Sequence, residues 1–277
     1  MRRVSTDSEA GLHPRGTFSG RVAVVVGAGS GLGRAVAKAF ARQGASIVVA
    51  DFDGPRMDRT VDEIMRLGTS EAAIAIPTDV RSDASVRSLA RDSIKAMGRA
   101  DILVNAAGVL LQGRLEKISG ADWTWMLETN LVGAIRTSTA FVPHMAGRGS
   151  GHIVNVVSFG GLRPSDPMGA PYDTSHAALA FFTERLAQQV RGTGVTASIF
   201  CPGSRGPRIG QNTRSRGVGR LFRGPDNGPD PSQQQEQVVA SLLEGMEEGR
   251  FLTFADPSDR PAGDAPWAGL DAARISS

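Results

Sequence analysis

Short apolar runs alternate along this chain with stretches in which apolar residues return every three or four positions. Val22, Val24, Val25 and Val26 form a β-branched run of the kind that suits a strand covered on both faces. Leu32, Ala35, Val36, Ala39 and Phe40 then make one stripe of a helix. The alternation continues with a strand over 45–50, a helix marked by Met57, Val61, Ile64 and Met65, and a strand over 73–76 that stops at Pro77. Val86, Leu89, Ala90, Ile94 and Met97 stripe the next helix, and 101–104 is the fourth strand. A long helical stretch from about 121 to 145 carries Trp123, Met126, Leu127, Leu131 and Ile135. Strands over 153–157 and 195–200 flank a helix over 172–190. Val238, Val239, Leu242, Leu243 and Met246 mark a last helix, followed by an edge strand over 251–254. Strands alternating with helices of this size predict an α/β fold, a doubly wound parallel sheet in a single domain over 18–256. No repeat is visible beyond these alternating units.

Three stretches fall outside the pattern. Residues 1–17 and 257–277 lack periodicity and read as tails. Between 203 and 235 the composition shifts to Gly, Pro, Arg, Asp and Gln, with Ile209, Val218, Leu221 and Phe222 as almost the only apolar residues. That stretch reads as a long loop, either a lid over a site at the preceding strand end or a disordered insertion.

The junction of the first strand and helix carries the most chemical information. Gly27, Gly29, Gly31 and Gly33 crowd one turn, together with Ala28, Ser30 and Leu32. Glycine lets the backbone take positive φ and approach a phosphate closely, and the free N–H groups of a helix start favour an anion. A glycine-rich turn is weak alone, but here a strand precedes it and a helix follows. Asp51 ends the next strand eighteen residues past Gly33. A carboxylate there accepts the ribose hydroxyls of a dinucleotide and repels a 2′-phosphate, which favours NAD over NADP. In open parallel sheets ligands bind beyond the carboxyl ends of the strands, and that rule collects Gly27, Asp51, Asp79, Asn105, Ser158 and Pro202 at one edge.

Composition narrows the partners. Hydrophobic residues at 40% and charged residues at 21% are ordinary for a globular protein, and the net charge of +3 rests on dispersed Arg without aromatic interleaving, so nucleic acid is not expected. Cys201 is the one cysteine, which excludes an internal disulfide and suits a reducing cytoplasm. Arg2 and Arg3 are not followed by an apolar segment of signal-peptide type, and no run of about 18 apolar residues exists, so neither secretion nor a membrane span is expected. No metal is expected.

With these residues in place, the chain from about Phe18 to Phe254 resembles the short-chain dehydrogenase/reductase family, whose fold is Rossmann-like. The run Gly27 to Gly33 is similar to that family's TGxxxGxG turn, with Val26 where Thr is usual. Asn105, Ala106, Ala107 and Gly108 resemble its NAG motif, Asp79 and Val80 its adenine contact, and Pro202 and Gly203 its PG turn near the nicotinamide. Asn130, Ser158 and Tyr172 match its catalytic Asn, Ser and Tyr in order and spacing. The resemblance implies an NAD-dependent oxidoreductase acting on a secondary alcohol or ketone, and a homodimer or homotetramer packed through the Tyr172 helix and the one before it.

The residue chemistry agrees with that implication. Hydride transfer at a carbinol carbon needs an acid/base on the substrate oxygen and a donor that holds it, roles suited to Tyr172 and Ser158, with Asn130 positioning a water. The departure is His176, four residues past Tyr172, where the family has Lys. The Lys lowers the phenol pKa by its charge; imidazole, with an ordinary pKa of about 6.5, is mostly neutral and shorter. His176 therefore does part of the lysine's work, or marks a redox-neutral dehydratase, isomerase or cyclase using Tyr172 and His176 together, or a non-catalytic NAD-binding protein. Apolar residues over 109–111 and 159–168 suggest a hydrophobic small-molecule substrate.

Overall fold

The computed structural model describes residues 16–163, 167–203, 213–218 and 231–259. Of the predicted tails over 1–17 and 257–277, residues 1–15 and 260–277 lie outside them, as do 204–212 and 219–230 of the stretch read as a loop.

Seven parallel strands form the central sheet: β1 (Val22–Val26), β2 (Ser46–Asp51), β3 (Ala73–Pro77), β4 (Ile102–Asn105), then β6 (Gly151–Val156), β7 (Val195–Cys201) and β9 (Leu252–Phe254). A separate parallel pair joins β5 (Leu110–Gly113) to β8 (Thr213–Arg216). The order across the main sheet is β3-β2-β1-β4-β6-β7-β9, so the winding reverses between β1 and β4 and leaves a crevice at their carboxyl ends. Val24 sits opposite Val48 on one side and Leu103 on the other, which fixes the register at the centre.

Both faces are covered, and β1 shows why its sequence is apolar without a break. Ala23 and Val25 pack in the layer formed by α1 (Gly31–Arg42), α2 (Gly54–Met65) and α8 (Pro231–Glu247), with Phe40, Ile64 and Leu242. Val22, Val24 and Val26 point the other way, toward α3 (Asp83–Met97), α5 (Gly133–Gly147) and α7 (Ala170–Gln189), with Leu89, Phe141 and Leu186. Side chains alternate along a strand, so a strand buried on both sides needs apolar residues at every position. Among the described residues no helix is long and apolar enough to cross a membrane.

Two departures from the sequence reading shape the site. The helical stretch expected from 121 to 145 is α4 (Gly120–Leu127), a π-helical turn (Glu128–Val132) and α5, and it is the π-turn that carries Asn130. The stretch 203–235, read as a single loop, contains β8 and the first turns of α8. The sequence of β8, Thr-Arg-Ser-Arg, has no apolar alternation; its extended form comes from pairing with β5.

Candidate active site

The glycine turn between β1 and α1 is built by close contacts. Gly27 has φ +85°, and a Cβ there would meet the Ala107 backbone nitrogen at 2.6 Å; one at Gly33 would overlap the Gly27 carbonyl. A Cβ on Gly29 would fall 2.9 Å from the Asp51 carboxylate. These absences of side chain form a cradle of backbone at the mouth of the crevice, with Ser30 at the cap position of α1 and Leu32 in its first turn. Ala106 donates its N–H to the Val26 carbonyl at 2.9 Å, so 106–108 backs the turn.

Asp51 stands beside this cradle with its orientation set by backbone. The Gly29 N–H donates to Oδ2 at 3.0 Å and the Asp53 N–H to Oδ1 at 3.2 Å. Each oxygen keeps a lone pair for a further donor. Backbone cradle and fixed carboxylate together fit the pyrophosphate and ribose of a dinucleotide.

The other sequence-predicted residues separate by what they touch. Asp79 holds the Arg81 guanidinium through two bonds of 2.9 and 2.8 Å, which keeps its carboxyl below the usual range. Val80 is buried against Gly133, at the start of α5. Asn105 is absorbed by a buried polar network: its amide donates to Asn155 at 2.8 Å and to Ser138, and its carbonyl accepts from Thr137 at 2.7 Å. Asn155 in turn donates to Thr183 at 2.8 Å, so the chain of bonds crosses from α5 through β4 and β6 to α7.

Asn130 is 2% exposed and also fully engaged. Its carbonyl accepts the Val109 N–H at 2.8 Å, and its amide donates to the Val109 carbonyl at 2.9 Å and to Ser175 Oγ at 3.2 Å. Ser175 donates to the Tyr172 carbonyl at 2.7 Å. The π-turn thereby ties the loop after β4 to the first turn of α7, where Tyr172 sits.

Ser158 follows β6 and caps the short helix α6 (Phe159–Leu162) by position, without a capping bond from its side chain. Burial pushes the Tyr172 phenol pKa up to about 12, and hydrogen bonding toward the Ser158 hydroxyl opposes this in part. The opposing effect of the bond is smaller than that of desolvation. Gly160 and Gly161 let α6 lie directly on α7: a Cβ on Gly161 would come within 2.5 Å of the His176 side chain.

His176 is 7% exposed, and its ring meets that of Tyr172 edge-on with centroids 4.5 Å apart. Among the described residues neither ring nitrogen has a hydrogen-bond partner, and burial drives the imidazole pKa down to about 4. The ring is therefore neutral at pH 7 and supplies no charge to the phenol. Cys201, at the end of β7, is buried with its thiol pushed up to about 12, and Pro202 and Gly203 follow it at the same sheet edge. Gly203 has φ +68° and lies against the Asp259 carboxylate.

Of the residues expected to line an apolar substrate, Leu110, Leu111 and Leu162 are buried, while Val109, Phe159 and Met168 keep partial exposure. Two contacts had not been anticipated. Gln235 in α8 donates its amide to the Gly31 carbonyl at 2.9 Å, linking residues 204 positions apart at the glycine turn. Asp122 in α4 receives Arg216 through bonds of 3.0 and 2.7 Å, anchoring β8. The signal for Asp122 was Ser119, three positions before it: the two form a capping box that fixes the helix start. Nothing local marks Gln235.

Comparison with known proteins gives consistent matches. A family model described as short chain dehydrogenase matches residues 21–216. The (2S)-[(R)-hydroxy(phenyl)methyl]succinyl-CoA dehydrogenase subunit BbsD of Thauera aromatica is 35% identical over 183 residues, covering 66% of this chain and 72% of that protein. A short chain dehydrogenase/reductase from Burkholderia phymatum, solved in complex with NAD, has a TM-score of 0.75 and 32% identity, covering 87% of this chain and 90% of that one. A metagenomic short-chain oxidoreductase, solved in complex with NADP, has a TM-score of 0.67 and 26% identity over 83% of this chain and 91% of its own.

Proposed function

The chain belongs to the short-chain dehydrogenase family, and from that premise we propose that it is an NAD-dependent oxidoreductase interconverting a secondary alcohol and a ketone on an apolar small molecule. The observation that carries this reading is the Ser158 hydroxyl facing the Tyr172 phenol, on the same sheet edge as the glycine cradle and Asp51. The backbone N–H groups at the start of α1 bind the pyrophosphate, and Asp51 accepts the ribose hydroxyls. When bound, the nicotinamide supplies the site for the transferred hydride. Ser158 holds the substrate oxygen and Tyr172 exchanges a proton with it. His176 stands at the position of the family's ribose-binding Lys as an uncharged hydrogen-bonding group. Val109, Phe159 and Met168 form the apolar side of the substrate space. The Tyr172 helix and the π-turn helix before it, with Phe181 exposed, provide the surface for a homodimer or homotetramer.

Acid/base chemistry passed directly between Tyr172 and His176 is less well supported, because the two rings touch without a hydrogen bond. Calorimetric titration of NADH and NADPH tests the cofactor assignment. Wild-type protein is expected to bind NADH at least tenfold more tightly than NADPH, and Asp51→Ala to lose that preference. Equal affinity for both in the wild type would remove the assignment.

A further inference from the structure

Resting on the assignment of Asp51 to the cofactor ribose, we infer that Asp53 is a second determinant of cofactor choice: it ties up the Arg56 guanidinium, which would otherwise receive a 2′-phosphate, and leaves Asp51 to repel that group uncompensated. The start of α2 is fixed against the glycine turn. The Asp51 N–H donates to Met57 Sδ at 3.1 Å, and the Thr60 hydroxyl lies 3.1 Å from the Ala28 carbonyl and 3.0 Å from that of Arg56. A Cβ on Gly29 would lie 2.9 Å from the Asp51 carboxylate and 3.2 Å from the Arg56 Cβ. The Arg56 stem therefore starts beside the same glycine that donates to Asp51, and only its far end is free to choose a partner.

That partner is Asp53. Its Oδ1 accepts the Arg56 N–H at 3.2 Å as the cap of α2, and its Oδ2 takes the Arg56 Nε at 3.0 Å, so both oxygens of one carboxylate serve one residue. The cations of α1 that face α2 are held elsewhere: Lys38 bonds Glu63 at 2.7 Å and Arg34 lies 3.6 Å from the same carboxylate. Arg59, one turn further along α2, is exposed. The Asp51 oxygens take backbone N–H groups, and among the described residues no cation pairs with them. A 2′-phosphate needs a guanidinium at this strand end, where bidentate pairing is strong. The Asp53–Arg56 pair is about a third exposed, so the tether is modest and one substitution releases it. Asp53→Asn keeps a capping carbonyl for the Arg56 N–H but turns an amide donor toward the guanidinium, which then has no acceptor there.

The experiment is calorimetric titration of NADH and NADPH into the full chain as wild type, Asp53→Asn, Arg56→Gln and the double variant, with thermal unfolding verifying that each stays folded. Asp53→Asn is expected to bind NADPH about fivefold more tightly than wild type, with NADH affinity changed by no more than about twofold. Arg56→Gln alone brings no gain, and in the double variant the gain is lost. Asp53→Ser, which also keeps a capping oxygen, is the second variant and is expected to behave like Asp53→Asn. Unchanged NADPH affinity in both Asp53 variants would overturn the inference. So would a gain that survives in the double variant, which would come from the lost carboxylate charge alone, or one that Arg59→Gln abolishes instead. The cofactor assignment fails separately, if wild type binds both dinucleotides equally while the Asp53 variants still gain NADPH affinity through Arg56; wild type that binds neither removes the assignment and the inference with it.

Discussion

The imidazole of His176 lies edge-on to the phenol of Tyr172 at 4.5 Å between ring centroids, and among the described residues neither of its nitrogens has a hydrogen-bond partner. Burial makes His176 a neutral base. Its folded pKa of about 4 lies below the ordinary value of 6.5, so the unfolded chain binds the extra proton between those limits. Stability from this group is complete above pH 6.5 and is lost as pH falls toward 4, on the order of 3 kcal/mol in all. His152, also lowered to about 4 by burial, acts with the same sign. Urea unfolding between pH 7 and 4 is expected to show this decline, and His176→Leu to have a slope shallower by about one proton. An unchanged slope in the variant would assign the acid sensitivity elsewhere.

Gln235 fixes the carbonyl of Gly31, the first residue of α1, from a helix that follows the whole excursion after β7. Gln235→Leu removes one hydrogen bond at the edge of the phosphate cradle. The expected effect is a roughly fivefold loss of NADH affinity, corresponding to about 1 kcal/mol, with thermal stability reduced only slightly. Calorimetry of the variant checks it; unchanged affinity would make Gln235 a packing residue.

Asp122 joins the capping box of α4 to the anchor of β8. The Arg216 guanidinium beside it, aided by Ser119, holds its carboxyl well below the usual carboxylate range. Asp122→Ala loses the cap and the ion pair together, and because Arg216 is partly solvated the expected destabilisation is only about 2 kcal/mol. Hydrogen exchange is expected to show faster exchange in β8 and β5, with the seven-stranded sheet unaffected. Undiminished protection of β8 would mean that its backbone pairing suffices.

The central sheet was legible in the sequence because its strands are buried on both faces and its helices on one, two patterns that hydrophobic periodicity separates. The glycine turn and Asp51 were legible because backbone approach permits little but glycine, and strand ends expose few residues. What escaped the pattern was set by tertiary contact. Thr213–Arg216 is extended because β5 offers it partners, and Glu128–Val132 adds its extra residue per turn inside an otherwise regular apolar stripe. Asn105 and Asn130 were expected as site residues, but sequence could not tell that their amides are taken up by Asn155, Val109 and Ser175. The charge state of His176 follows from its burial beneath Gly161, which no spacing rule reveals.

The central claim is that Tyr172 exchanges a proton during hydride transfer. Its most direct test is single-turnover reaction of wild type and Tyr172→Phe with NADH deuterated at both C4 positions and a panel of apolar ketones, read by cofactor absorbance and product mass. The account predicts one deuterium in the alcohol per NADH consumed, and a rate at least a hundredfold lower in Tyr172→Phe with NADH affinity retained. Conversion of substrate with the cofactor unconsumed, or an undiminished rate in Tyr172→Phe, would contradict it.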